Sequence, residues 1–124
     1  MLNLDTHILL DAAAGKLTSA ERATLERDPR WGVSAIVLWE IEKLHAAGRL
    51  RMGLDEPKFA TFLEAVEVLP VDVQVCLQLR QLDFQADPAD EIIAATSLAH
   101  HVPLVTRDQR LRGSRRLRCL PSRV

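Results

Sequence analysis

The sequence predicts an α/β fold, in which a mainly parallel sheet of four to five strands carries helices on both faces. The first observation behind this prediction is that short apolar segments alternate with longer amphipathic ones, as strands alternate with crossover helices. The second is size and composition. The chain has 124 residues, of which 48% are hydrophobic and 27% charged, so we expect residues 1–124 to form a single domain with its own core.

Short apolar segments mark the expected strands. Pro70 lies inside the third of these segments, which places that strand at a sheet edge or ends it there. The fifth segment is the weakest candidate. The expected strands are Leu2–Leu4, Trp31–Val33, Val66–Val71, Val102–Thr106 and Leu117–Leu120.

Helices are expected between these strands, and capping residues mark several of their ends. Thr18 and Glu21 have the spacing of a capping box, and Gly15 and Gly48 suit helix C-termini. Ser34 and Asp72 are expected to begin two further helices. The expected helices are Thr6–Ala14, Ser19–Arg27, a helix from Ser34 to about Ala47, Lys58–Val66, a helix from Asp72 to about Leu82, and Pro88–His101.

Charge and cysteine content narrow the function classes. The formal net charge is −1, which identifies no partner, but the segment 107–124 combines seven arginines with a single acid, Asp108. That asymmetry favours a nucleic acid or another acidic partner, and a solvated arginine-rich edge is the alternative.

The two cysteines, Cys76 and Cys119, lack metal-ligand spacing, which favours a reduced, cytoplasmic protein. No apolar run approaches the length of a membrane span, and the N-terminus lacks the pattern of a signal peptide. The seven arginines are Arg107, Arg110, Arg112, Arg115, Arg116, Arg118 and Arg123.

The segment "DPADEIIAATS" places three acids directly before an apolar run. Asp87 suits the cap of a helix, Pro88 its first position, and Asp90 the reciprocal acid of a capping box. These local roles leave open whether the acids also belong to a site.

Other acids occur where parallel strands present ligands. Asp5 closes the first strand and Asp108 follows the fourth, so both are expected at the carboxyl edge of the sheet. On the helix after Ser34, a spacing of about 100° per residue puts Glu40 inside the apolar stripe. A surface pair between Glu40 and Lys43 is the alternative explanation of that position.

Strong repulsion between like charges is expected if the four acids converge on one site. These acids are Asp5, Glu40, Asp90 and Asp108. Such a cluster persists by sharing protons or by binding a cation. Oxygen ligands without nearby cysteine or histidine favour Mg²⁺ or Mn²⁺. A divalent ion held by carboxylates is typical of phosphate chemistry, and an arginine-rich flank suits a polyanionic substrate. These residues together predict metal-dependent phosphodiester hydrolysis.

Four motifs in this order resemble a known family. "LDTH", "SAIVLWEI", "DPADEIIAATS" and "VPLVTRD" together resemble a PIN domain, and specifically a VapC-type toxin nuclease of bacterial toxin–antitoxin pairs. The resemblance spans nearly the whole chain. It implies a PIN-like three-layer fold with the acids gathered at the carboxyl edge of the sheet.

The resemblance also implies roles for individual residues. It makes Asp5, Glu40, Asp90 and Asp108 the catalytic acids, of which Asp5, Asp90 and Asp108 would contact Mg²⁺ or Mn²⁺. Asp87 matches an additional acid of one subgroup. Hydroxyl groups that would support the acids are those of Thr6, Ser34 and Thr106. Position 91 is commonly basic in the family and is Glu91 here, which would add negative charge if it entered the site.

The implied activity is endoribonuclease cleavage of single-stranded or loop RNA by the toxin of a type II toxin–antitoxin system. The implied partners are RNA, a small antitoxin covering the acidic site, and a second copy of the chain in a homodimer. Arg107, Arg110 and Arg112 are candidates for RNA phosphate contacts, and a structural or antitoxin-facing role is the alternative. The alternative is that the protein is a catalytically inactive PIN-like module with an RNA-binding or regulatory role.

Overall fold

A five-stranded sheet forms the centre of the computed structural model, which describes residues 1–122; Arg123 of the arginine-rich segment lies outside the described residues. All neighbouring strands pair in parallel, in the order β3-β2-β1-β4-β5. This arrangement confirms the expected fold and places the carboxyl ends of all five strands at one edge. The strands are β1 (Leu2–Leu4), β2 (Trp31–Ser34), β3 (Glu67–Leu69), β4 (Leu104–Val105) and β5 (Cys119–Leu120).

Helices connect the strands, as the sequence predicts, with one addition. The short helix after β4 was not expected, and α5 ends early in a 3₁₀ turn over Leu79–Gln81. In the described residues no helix is both long and apolar enough to cross a membrane. The helices are α1 (Thr6–Ala14), α2 (Ser19–Arg27), α3 (Ala35–Ala46), α4 (Pro57–Glu64), α5 (Val73–Gln78), α6 (Pro88–His100) and α7 (Gln109–Arg112).

Strand β3 is shorter than the segment Val66–Val71 predicts. It ends at Leu69 because Pro70 has no backbone N–H to donate to the ladder. Strand β3 lies at one edge of the sheet, as the proline indicates.

Strand β1 lies at the middle of the sheet and is buried on both faces. Leu2, Asn3 and Leu4 are at most 3% exposed, so helices cover both sides of the strand. The apolar core around it includes Ile8, Leu9, Leu25, Val33, Val37, Ile41, Phe59, Ile93, Leu104 and Leu111. Because β1 is rigidly packed, the residue that follows it, Asp5, has a fixed position at the carboxyl edge.

The start of α6 differs from the expected capping pattern. Asp87 occupies the N-cap position, but its side chain makes no capping hydrogen bond. Asp90 is not the acid that reaches back, because Glu91 accepts a hydrogen bond from the Ala86 N–H at 3.2 Å. The predicted N-cap position of Asp87 is confirmed although its side chain forms no capping bond, and the capping-box role predicted for Asp90 is wrong. The carboxylates of both residues line the cavity described below.

Candidate active site

A cavity of about 450 Å³ lies at the carboxyl edge of the sheet. Five carboxylates from four parts of the chain reach its wall, and together they include every acid that the sequence analysis selected for the site. Asp5 follows β1, Glu40 belongs to α3, Asp87 and Asp90 begin α6, and Asp108 precedes α7. The wall consists of Asp5, Thr6, His7, Glu40, Leu44, Asp87, Asp90, Arg107 and Asp108.

Asp5 is the most buried of these acids, with 7% of its surface exposed. Its Oδ1 accepts the backbone N–H of Thr6 at 2.8 Å, and its Oδ2 accepts the Thr106 hydroxyl at 2.6 Å. Thr106 also accepts the backbone N–H of Asp108 at 3.1 Å. The Thr106 hydroxyl therefore connects two of the acids.

Glu40 is tied to the same group through a second hydroxyl. Thr6 Oγ1 donates to Glu40 Oε1 at 2.6 Å. Burial raises the pKa of Glu40, the Thr6 hydrogen bond opposes that rise, and the charge of Asp5 adds to it. Lys43 instead lies over the Trp39 ring, 5.7 Å from its centroid, so the alternative of a Glu40–Lys43 pair is wrong.

Asp90 is strongly affected by its neighbours. Burial raises its pKa from 3.8 to about 6, and the charges of the four surrounding acids add to the rise. Those acids are Asp5, Glu40, Asp108 and Asp87, in decreasing order of effect. Ionisation of Asp90 is therefore harder than that of an ordinary aspartate, because its neighbours carry like charge.

Asp108 has a structural role in addition to its place on the wall. Its Oδ1 accepts the backbone N–H groups of Arg110 at 2.9 Å and Leu111 at 3.1 Å, which caps α7. Ser34 caps α3 in a similar way, since its Oγ accepts the Ile36 N–H at 3.3 Å. Ser34 does not line the cavity, so its hydroxyl acts on the helix that carries Glu40 rather than on the acids directly.

The three arginines proposed as phosphate contacts have different environments. Arg107 forms ion pairs with Glu21 and Asp11, each at 2.7 Å. Arg112 donates to the backbone carbonyls of Thr106, Leu120 and Pro121. These contacts favour the structural alternative for Arg107 and Arg112. Arg110 is exposed and makes no ion pair with any residue in the range 1–122.

The donor set fits a hard divalent cation in its chemistry. Within the described part of the chain, five carboxylates line the cavity together with one arginine, Arg107, whose charge is already balanced by Glu21 and Asp11. Across residues 1–122, no three histidine, cysteine, aspartate or glutamate side chains are grouped closely enough to hold an ion as they stand. The acids therefore surround one space without meeting at one point.

Two features of the site were not predicted. Asn3, in the middle of β1, donates from Nδ2 to the Ile93 carbonyl at 3.1 Å and to Ser97 Oγ at 2.9 Å, which fixes α6 against the sheet. A polar residue inside an apolar strand was the available signal. The Arg107–Glu21 pair spans 86 residues of sequence, and no local pattern indicates it.

Comparisons with known proteins give matches over most of the chain. The family model described as "PIN domain" matches residues 3–116. Ribonuclease VapC22 of Mycobacterium tuberculosis (strain ATCC 25618 / H37Rv) is 29% identical over 118 residues, which cover 90% of each chain.

Solved structures share the fold at lower identity. VapBC2 from Rickettsia felis, bound to a DNA fragment from its promoter, aligns with a TM-score of 0.75 at 19% identity, covering 96% of this chain and 97% of the other. A toxin–antitoxin complex from Klebsiella pneumoniae gives 0.70 at 20% identity, with 94% and 95% coverage. FitAcB from Neisseria gonorrhoeae gives 0.67 at 22% identity, with 96% of each chain covered.

Proposed function

Because the chain belongs to the PIN domain family, we propose that it is a metal-dependent endoribonuclease, which hydrolyses phosphodiester bonds in single-stranded or loop RNA. The observation that carries the proposal is that, among residues 1–122, five carboxylates converge on one cavity and the one arginine on its wall is already paired. Such a cluster costs folding free energy, as the raised pKa of Asp90 indicates. A nuclease site that binds a cation accounts for that cost.

Mg²⁺ or Mn²⁺ is the proposed cofactor, with Asp5, Asp90 and Asp108 as its contacts and Asp87 as an additional acid nearby. When bound, an ion of this type lowers the pKa of water and neutralises charge that develops on phosphate oxygens. The hydrogen bonds from Thr6 and Thr106 prevent the Asp5 carboxylate from rotating, so its position is set before any ligand arrives.

Glu40 is the proposed proton acceptor. Its raised pKa brings it closer to neutral pH, where a carboxylate is a more effective base. The Thr6 hydroxyl holds Oε1, while Oε2 forms no hydrogen bond within the described part of the chain. In the proposed reaction Glu40 takes a proton from water as the water oxygen bonds to phosphorus. The bond from phosphorus to the 3′ oxygen breaks, the 3′ oxygen takes a proton from solvent, and the products carry a 5′-phosphate and a 3′-hydroxyl.

We also propose that the protein is the toxin of a type II toxin–antitoxin system and acts as a single domain, residues 1–124, in the cytoplasm. The support is that the curated relative is named a ribonuclease and that the similar structures include toxin–antitoxin complexes. The proposed partners are a small cognate antitoxin that covers the acidic cavity and a second copy of the chain in a homodimer. Arg110, exposed beside Asp108, is the remaining candidate among the three arginines for an RNA phosphate contact.

Titration with Mn²⁺ tests the proposal against an inactive RNA-binding module. The purified protein is titrated by calorimetry, and the same sample is then incubated with a labelled single-stranded RNA. We expect Mn²⁺ binding together with cleavage to 5′-phosphate ends, both abolished by EDTA. RNA binding without Mn²⁺ uptake or cleavage would instead support the inactive module.

A further inference from the structure

Arg107 lies on the cavity wall between two residues of the site, but its guanidinium bonds two carboxylates that are not on that wall. Thr106 contacts Asp5, and Asp108 lines the cavity, whereas the guanidinium of Arg107 reaches α1 and α2. Its Nε and Nη2 donate to the two carboxylate oxygens of Glu21, each at 2.7 Å. Its Nη1 donates to Asp11 Oδ2, also at 2.7 Å. The segment that carries two site groups is thus attached to the helices beside it through the residue between them.

Glu21 holds its end of this contact rigidly. It is 4% exposed, and its Oε1 also accepts the backbone N–H of Thr18 at 2.9 Å. Thr18 in turn caps the Glu21 N–H, which completes the capping box that begins α2. A carboxylate with these partners cannot change rotamer without breaking the start of the helix. Two parallel N–H to oxygen bonds between a guanidinium and such a group also fix orientation as well as distance.

The segment that carries Thr106 and Asp108 has little stability of its own. Strand β4 has 2 residues and α7 has 4, and helices this short are not stable without tertiary contacts. The backbone between them is held by one main-chain hydrogen bond, from the Thr106 N–H to the Leu120 carbonyl at 3.3 Å, and otherwise by side-chain contacts.

We propose that Arg107 and Glu21 are positioning residues that hold Thr106 and Asp108 against Asp5, so that Arg107 is not an RNA phosphate contact. The inference rests on the proposed function, because it concerns the geometry of the same site. This role explains why Arg107, although it lies on the cavity wall, is paired with Glu21 and Asp11. It also predicts that loss of either partner displaces the carboxylate of Asp108 although no site acid has been changed.

Three variants test this role: Glu21→Gln, Arg107→Gln and the double variant. Glutamine at position 21 removes the charge but still offers one oxygen, that of its amide, to accept the Thr18 N–H in the capping box. In Mn²⁺-dependent RNA cleavage, well below the melting temperature of every variant, we expect kcat to fall about 10- to 100-fold in each single variant while KM changes little. The double variant should be no slower than the worse single variant, since both substitutions remove one unit.

A second measurement does not depend on catalysis. The Asp108 N–H donates to Thr106 Oγ1, so hydrogen exchange at this amide reports the position of the segment. We expect exchange at Asp108 to become about 10-fold faster in both single variants, with exchange at Leu4 in the core unchanged.

Arg30→Gln is a matched control, because it breaks an ion pair elsewhere, between Arg30 and Glu67 at 3.3 Å. Phe59→Leu, a core change in α4, controls for lost stability without this contact.

Wild-type kcat and Asp108 exchange in Arg107→Gln would overturn the inference, as would a raised KM with an unchanged kcat, which is the signature of a lost substrate contact. An equal fall in kcat in Phe59→Leu would also overturn it, since general destabilisation would then suffice. If the wild-type protein does not cleave RNA at all, the proposed function fails, and the exchange measurement still decides whether the pair positions Asp108.

Discussion

The Thr106 hydroxyl donates a hydrogen bond to Oδ2 of Asp5 at 2.6 Å and so joins the ends of two neighbouring strands, β1 and β4. Both residues are buried, and the same hydroxyl accepts the Asp108 N–H. One side chain therefore connects a strand end, a helix start and a buried carboxylate. We expect the Thr106 hydroxyl to contribute both to the stability of this edge of the sheet and to the geometry of the site.

Thr106→Val keeps the shape of the side chain and removes both hydrogen bonds. We expect the free energy of unfolding to fall by about 1.5–3 kcal/mol, because a buried charged acceptor loses its donor. Urea titration measures the change. Thr24→Val is the matched control, since the Thr24 hydroxyl donates only to a helix carbonyl, Ala20, at 2.9 Å. An equal loss in both variants would contradict the role given to Thr106.

Asp90→Asn should stabilise the protein in EDTA, and more so at high pH. The pKa of Asp90 is about 6 in the folded protein, against an ordinary value of 3.8. The contribution of Asp90 to the stability of the wild type is therefore fully present below pH 3.8 and is lost as pH rises through 6. Because Asp90 is only partly buried and solvent screens its charge, we expect a gain of about 1 kcal/mol, or about 4 °C in Tm, at pH 8. Melting curves at pH 5 and pH 8 give the comparison.

The exposed acid Glu26 on α2 provides the control for this prediction. Glu26→Gln should leave the difference in Tm between the two pH values as it is in the wild type. A lower Tm for Asp90→Asn at pH 8 would mean that this carboxylate is a structural partner and not a repelled member of the cluster.

Glu21 has the opposite pH dependence. The hydrogen bonds from Arg107 lower its pKa from 4.5 to about 2, so its contribution to stability is present above pH 4.5 and is lost as pH falls towards 2. We expect this loss to reach about 2–3 kcal/mol in the wild type and to be absent in Glu21→Gln. Urea titrations at pH 6, 4 and 3 measure it. Parallel acid profiles for the two proteins would show that the pair does not stabilise the fold.

Asp108 allows its cap and its site role to be separated. Asn caps helices as well as Asp, so Asp108→Asn should unfold at the same urea concentration as the wild type, whereas Asp108→Ala should lose about 1 kcal/mol. Both variants should lose Mn²⁺-dependent RNA cleavage. Wild-type cleavage by Asp108→Asn would remove this residue from the proposed site.

Glu91 is the position at which this sequence departs from the family pattern. Its carboxylate bonds the Ala86 N–H, and it is not among the residues of the cavity wall. Glu91→Gln should therefore cleave RNA at the wild-type rate and unfold with a free energy within about 0.5 kcal/mol of the wild type. A large change in the Mn²⁺ concentration needed for half-maximal cleavage would show that Glu91 acts on the site.

Sequence reasoning succeeded where a local pattern has one structural solution. Apolar periodicity placed Glu40 on the inner face of α3, and strand ends placed Asp5 and Asp108 at one edge. The position of Asp90 could not be predicted from its own segment, because it depends on the path of the loop before α6. Only the family resemblance predicted that Asp90 lies with the other acids. Contacts between residues far apart in the sequence could not be predicted. No pattern around Arg107 indicates that it pairs with Glu21, and the pattern around Glu21 indicates only a capping box.

The most direct test of the account compares wild-type protein with Asp5→Asn in Mn²⁺-dependent cleavage of a single-stranded RNA. Asparagine keeps the size of the side chain and an oxygen acceptor, but removes the most buried charge of the cluster. We expect the wild type to cleave the RNA and to stop in EDTA, and we expect the variant to be slower by a factor of at least about 100. Equal cleavage by the two proteins would contradict this expectation.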